Sequence, residues 1–281
     1  MPRIAIVTDI HHGADHYAKK GTAALGLMAE FARFVADAAP DLVLDLGDRI
    51  SDRDAEHDRR LEQEVAEAFA GIEAPVFHLC GNHDLDYLTV AENEALLGQK
   101  LGHQTVDVGD WRIVLWRADS RIHRPGGFVL QESDLAWLDE VVHNADRPLL
   151  VTSHVPLSGH DQTGNYWFEQ SPEKSRYPGT ERLRTVLSRA RVPMACIAGH
   201  VHWNTLTVVD AIPHVTLQSL VELSSTSPQP AAAWGLLELG EEIDWRVFGL
   251  DPFAVRLNAA RTARRPLPSL APSPRRVAAP V

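Results

Sequence analysis

The sequence predicts an α/β fold of sandwich type, with two mixed β-sheets facing each other and helices on their outer sides. Three observations lead there. Apolar strand-like runs alternate with helix-period patterns up to residue 198, the signature of β-α-β units. From residue 205 to 248 the pattern turns all-β, as in an antiparallel meander. No Pro/Gly/Ser-rich break interrupts residues 1–250, so they read as one domain, followed by a Pro/Arg-rich extension over 251–281.

Each element has its own signal. Residues 4–7 form an apolar strand, and 22–38 place Leu25, Met28, Phe31 and Val35 three or four apart on one helical face. Residues 42–46 are the next strand, 54–70 a charged helix with a narrow apolar stripe, 75–80 a third strand and 90–97 a short helix. Residues 105–108 and 111–116 make a hairpin around Gly109-Asp110. Ser133 reads as the N-cap of a helix bearing Leu135, Leu138, Val141 and Val142. Strands follow at 149–152 and 194–198, with a helix at 180–189 between them, and then strands at 205–209, 215–217, 234–239 and 244–248.

Charge and composition exclude several classes. The net charge is −11, yet residues 252–281 hold six arginines and no acid, so removing them leaves −17 on the body. A surface that acidic does not track long nucleic acid through its phosphates. The basic extension is expected to lie against that acidic body. No run of eighteen apolar residues suggests a membrane span. Cys80 and Cys196 stand far apart, outside any C-x-x-C spacing, and read as buried strand thiols. The opening MPRIAIVTDIHHG lacks the order of a secretory leader, so a cytoplasmic location is expected.

The informative feature is where the polar residues fall. Five apolar runs each end in a short cluster: Asp9-Ile10-His11, Gly47-Asp48, Gly81-Asn82-His83-Asp84, Ser153-His154 and Gly199-His200-Val201-His202. Ligands of open α/β sheets bind at the carboxyl edge of parallel strands, so parallel packing would bring these clusters to one crevice. Gathering that many carboxylates and imidazoles is costly without a cation. Mixed His/Asp/Asn ligation suits transition metals such as Fe, Mn or Zn, and the number of candidate ligands fits two ions better than one. Two metals about 3.5–4 Å apart clamp the attacking and leaving oxygens of a phosphoryl transfer.

At these residues the chain resembles the calcineurin-like metallophosphoesterases, whose pattern runs D-x-H, GD, GNH[D/E], a lone H and GHxH. The resemblance spans residues 9 to 202 with every motif present, and its length and GHxH ending are most similar to bacterial phosphodiesterases of cyclic nucleotides and other small diesters. It implies the four-layer αββα sandwich and a pair of transition-metal ions. Carried over residue by residue, it implies one ion on Asp9, His11 and His202, a second on Asn82, His154 and His200, and Asp48 as their bridge. It assigns His83 to the leaving-group oxygen, with Asp84 steadying its ring. A single zinc lowers the pKa of its water from about 15.7 to about 7. A hydroxide formed between two ions would attack phosphorus in line while His83 protonates the departing alkoxide.

Other residues carry open alternatives. His12 could reach substrate or be a solvated neighbour. His16, Lys19 and Lys20 could meet a charged substrate end, but read as exposed helix-approach charges. Arg49 stands where an apolar residue is usual and would pair with Asp52 or Asp54 on the surface. His78 reads as a satisfied core histidine. Residues 156–179 lack periodicity and begin beside His154; within them Tyr166, Trp167 and Phe168 form either a stacking wall for a flat group or a pin for the loop, with Lys174 or Arg176 near an anionic end. The expected substrate is a small phosphodiester. A phosphomonoester is the rival, a nuclease is disfavoured by the acidic body, and a scaffold should have lost ligands that are all present here. Edge strands or the long loop could pair copies into a homodimer or higher homo-oligomer, but nothing in the sequence requires it.

Overall fold

A computed structural model of the chain describes residues 1–123 and 127–258. The helices and strands are β1 (Arg3–Val7), α1 (Ala24–Ala38), β2 (Leu42–Asp45), α2 (Ala55–Ala70), β3 (Val76–His78), α3 (Val90–Leu97), β4 (Gln104–Val108), β5 (Trp111–Leu115), α4 (Glu132–His143), β6 (Leu149–Ser153), α5 (Thr180–Ser188), β7 (Met194–Ala198), β8 (Thr205–Val209), β9 (Ile212–Thr216), β10 (Trp234–Leu239), β11 (Glu242–Phe248) and β12 (Phe253–Asn258). They build two six-stranded sheets, ordered β12-β11-β10-β1-β2-β3 and β4-β5-β6-β7-β9-β8. β1, β2 and β3 run parallel in the first, and β5, β6, β7 and β9 in the second. The five polar-ended strands are thus divided three and two between facing sheets.

Alternation along the strands explains the layering. Ile4 and Ile6 of β1 face the other sheet and share a core with its Ile113, Leu115 and Leu150, whereas Ala5 and Val7 turn outward onto Met28 and Phe31 of α1 and Val65 of α2. On the far side Val114 and Val151 pack under Leu138 of α4 and Leu183 and Leu187 of α5. The result is helix, sheet, sheet, helix. Among the described residues no helix is long and apolar enough to cross a membrane.

Several expected details change. α4 starts one residue before Ser133, at Glu132, with Gln131 as N-cap, because the Leu135 N–H already bonds the Gln131 carbonyl at 3.1 Å. β9 begins at Ile212 despite Pro213, since its ladder to β7 opens only at His214 and the missing N–H is not needed. The boundary at residue 250 also moves. Phe253–Asn258 forms β12, antiparallel to β11, with Phe253, Val255 and Leu257 packed on the inter-sheet core. The rest of the expected extension, residues 259–281, lies outside the described residues, as does the placement of its arginines.

Candidate metal centre

The polar clusters meet at the carboxyl ends of β1, β2, β3, β6 and β7. Two buried groups result: Asp9, His11, Asp48 and His202, and Asp48, His154 and His200, each with one donor atom per residue inside 4.8 Å. His11 Nε2 faces His202 Nε2 at 2.9 Å, and Asp9 Oδ1 lies 3.2 Å from the latter. Asp48 Oδ2 stands 3.8 Å from His11 Nε2 and 3.5 Å from His154 Nε2, between the two groups. Beside it, the N–H of His83 donates to Asp48 Oδ1 at 2.8 Å, which seats the neighbouring Asn82 at the same end. Backbone geometry is unusual here. Asp9, His11, Asp48, His200 and His202 all have positive φ, between 45° and 67°. Non-glycine residues hold such conformations only where the surroundings over-determine them. A Cβ on Gly81 would run into Asp48, and one on Gly199 into Thr8 and Asp9, so these motif glycines permit the close approach.

Asp9 Oδ1, Asn82 Oδ1 and His154 Nε2 are buried without a hydrogen-bond partner. Orphaned acceptors of this kind, converging with imidazoles, fit a transition-metal pair. Electrostatics agrees. Burial works against a charged imidazole at His154 and His202, but Asp48 and Asp9 for the first, and Asp9 and Glu222 for the second, outweigh it and raise both to about 9. His200 is pushed down to about 4 by burial and by His154. Burial and Lys19 hold His11 well below its usual range. The carboxylates therefore recruit positive charge where divalent ions would supply it.

Under this rim lies a network that sequence reading placed on the surface. Arg49 is fully buried, donating to Asp45 at 2.8 Å, Glu62 at 2.5 Å, the Leu79 carbonyl at 2.6 Å and Asn93 at 3.1 Å, with Asp84 3.3 Å away. It does not pair with Asp52 or Asp54 at the surface. Asp84 does not hold the His83 ring either. Its carboxylate accepts the backbone N–H groups of Asp48 (2.9 Å), Arg49 (2.8 Å) and Gly81 (2.8 Å), tying two motifs together. The partner of His83 Nδ1 is Asp52. Burial pushes the Glu62 carboxyl up to about 8, against the pull of Arg49. Arg49→Met is expected to cost about 3–5 kcal/mol, because it strands Asp45 and Asp84 in the interior; thermal unfolding of the metal-free protein reads this directly.

The sequence model of the calcineurin-like phosphoesterases matches residues 2–204. The chain belongs to that family. No curated protein matches it. Among solved structures, this phosphoesterase resembles a dimetal phosphatase from Danio rerio, with a TM-score of 0.72, 15% identity and coverage of 92% of this chain and 99% of that one. A purple acid phosphatase from yellow lupin aligns at a TM-score of 0.63 and 14% identity over 96% of this chain but 57% of its own length. The anchor protein GAP50 of the Plasmodium inner membrane complex aligns at 0.56 and 15% identity, covering 92% and 89%. These likenesses establish the fold. Family and buried cluster together support metal-dependent phosphoester hydrolysis with two metal ions.

The remaining candidates of the phosphoesterase are sorted by their contacts. Trp167 and Phe168 lie 5.6 Å and 4.9 Å, centroid to centroid, from the His202 and His200 rings, so both pack against the imidazoles of the buried groups. Tyr166 alone of the three is well exposed. His12 pairs with Glu64 at 2.6 Å, Arg176 binds the Gly159 carbonyl at 3.3 Å, and His78 bonds Asp45 at 2.9 Å. Lys19, read as exposed, is buried with its Nζ 3.3 Å from His11 Nδ1. Sequence reading missed Glu222, which lies outside every motif.

Proposed function

We propose that this phosphoesterase hydrolyses small phosphodiesters, cyclic nucleotides among them, with His83 as general acid. The observation that carries the reading is the pair of buried ligand groups sharing Asp48, with the N–H of His83 on Asp48 and the ring of His83 on Asp52. Two ions bound there would supply a nucleophile at neutral pH and offset charge on the phosphoryl oxygens. Asp52 accepts from His83 Nδ1, which leaves Nε2 to carry a proton toward a departing alkoxide. Asp84, held by three N–H groups, keeps the turn bearing Asn82 and His83 against the Asp48 turn. Preference for a diester is supported by a cavity of about 440 Å³ bordering His202, lined by Tyr166, Trp167, Trp203, Glu169 and Ser224 and, among the described residues, by no lysine or arginine. Such a cavity suits an uncharged flat substituent better than a second phosphate.

Lys19 favours a second reading, phosphomonoester hydrolysis, since a buried cation beside the ligands complements a dianion. A panel of a linear diester, its monoester, and 2′,3′- and 3′,5′-cyclic nucleotides separates the two, with metal content measured on the same preparation. Faster turnover of the diesters is expected. Preference for the monoester would put the second reading first, and inactivity at full metal loading would point to a scaffold.

A further inference from the structure

We propose that one metal position is held through charged side chains and the other through main-chain carbonyls, and that Glu222 is the positioning residue of the former. This rests on the two-metal reading of the site and not on the choice of substrate.

An imidazole that ligates through one nitrogen is oriented, and its tautomer chosen, by what its other nitrogen meets. His154 turns Nδ1 to the Leu46 carbonyl at 2.8 Å, and His200 turns Nε2 to the Lys174 carbonyl at 2.9 Å. Both partners are neutral and belong to the backbone. His202 differs, with its Nδ1 on Glu222 Oε2 at 2.9 Å. Glu222 is fully buried, and the same oxygen accepts from Trp167 Nε1 at 2.8 Å. Its other oxygen accepts the N–H groups of Leu223 at 3.0 Å and Ser224 at 2.9 Å. These bonds fix the carboxylate in place, and a carboxylate on the outer nitrogen makes the ligating nitrogen a stronger donor. His11, in the same ligand group, meets the opposite charge. Its Nδ1 faces Lys19 Nζ, which lies 5.4 Å from the Trp167 ring centre, and the Lys19 backbone bridges to Glu222. One ligand group is therefore wrapped by an anion and a cation of opposed effect, whereas the outer nitrogens of the two histidines in the other meet backbone carbonyls.

Substitution should separate the two positions. In Glu222→Gln the amide would donate to His202 Nδ1 and leave the ring proton on Nε2, where the ion must sit. Metal content by elemental analysis across a chelator series is the readout. Wild type is expected to hold two ions. Glu222→Gln should release one of them at chelator concentrations about 10–100-fold lower and the second as in wild type. Lys19→Met removes the repelling cation and should retain one ion more tightly, so it decides the matter even if Glu222→Gln fails to fold. Parallel loss of both ions in Glu222→Gln, or no shift in it, would overturn the inference alone. So would unchanged or weaker retention in Lys19→Met. A wild-type protein holding fewer than two ions would overturn the two-metal reading and the inference with it.

Discussion

His83→Ala is expected to keep both ions and to lose about 10²–10⁴-fold in turnover on substrates with poor leaving groups. The ring of His83 stands 4.8 Å from that of His11, close to the ligands, yet it belongs to neither ligand group, and its Nδ1 is engaged by Asp52. If His83 is the general acid proposed above, its removal takes away the proton donor and leaves the atoms of both buried groups in place. The deficit should therefore shrink as the leaving group improves, since a stable phenolate needs no proton. Asp52→Asn should show the same leaving-group dependence with a smaller loss, because it disturbs the orientation of the ring rather than deleting it. An alanine variant that emerged without metal would show His83 to be a ligand and end its assignment as the acid.

Asp48→Asn is expected to empty at least one metal position and reduce activity to that of chelator-stripped enzyme. Among the described residues only Asp48 belongs to both groups, and it is buried to 1% exposure. Losing its charge removes the attraction that both ions share, in a setting where Coulomb terms are strong. Metal analysis of the purified variant checks this, with circular dichroism to confirm the fold. Two ions retained at wild-type affinity would refute the bridge. Loading also competes with the protons that the carboxylates hold on His154 and His202 near pH 9. Ion retention should therefore weaken as pH falls, with protons released on binding in weakly buffered solution.

The residues that would bind metal were legible because each closes a strand. A run such as LVLDL followed by Gly-Asp states both the element and what its end presents, and parallel strands carry their ends to one edge. Helix limits were readable where a cap is local: Asp54 accepts the His57 N–H at 2.9 Å, and Thr89 with Glu92 forms a capping box. Ser133 misled because a good cap residue stood at the second position of a helix whose backbone bonding had already begun at Gln131. β12 was overlooked because proline and arginine around it outweighed a clear period-two pattern at Phe253, Val255 and Leu257.

The partners of the site residues form a different class. Asp84 meets Arg49 across 35 residues, His83 meets Asp52 across 31 and His202 meets Glu222 across 20. None of these pairs shares an element, and the residue types involved are ordinary surface residues when read along the chain. Sequence by itself determined the chemical inventory of this phosphoesterase and the strand ends that carry it, because periodicity and spacing are properties of adjacent residues. Which carboxylate serves which imidazole, and that Arg49 and Lys19 are buried, was decided only by tertiary packing. The desolvation and charge pairing that settle such choices act through space, between segments that meet only when the two sheets close.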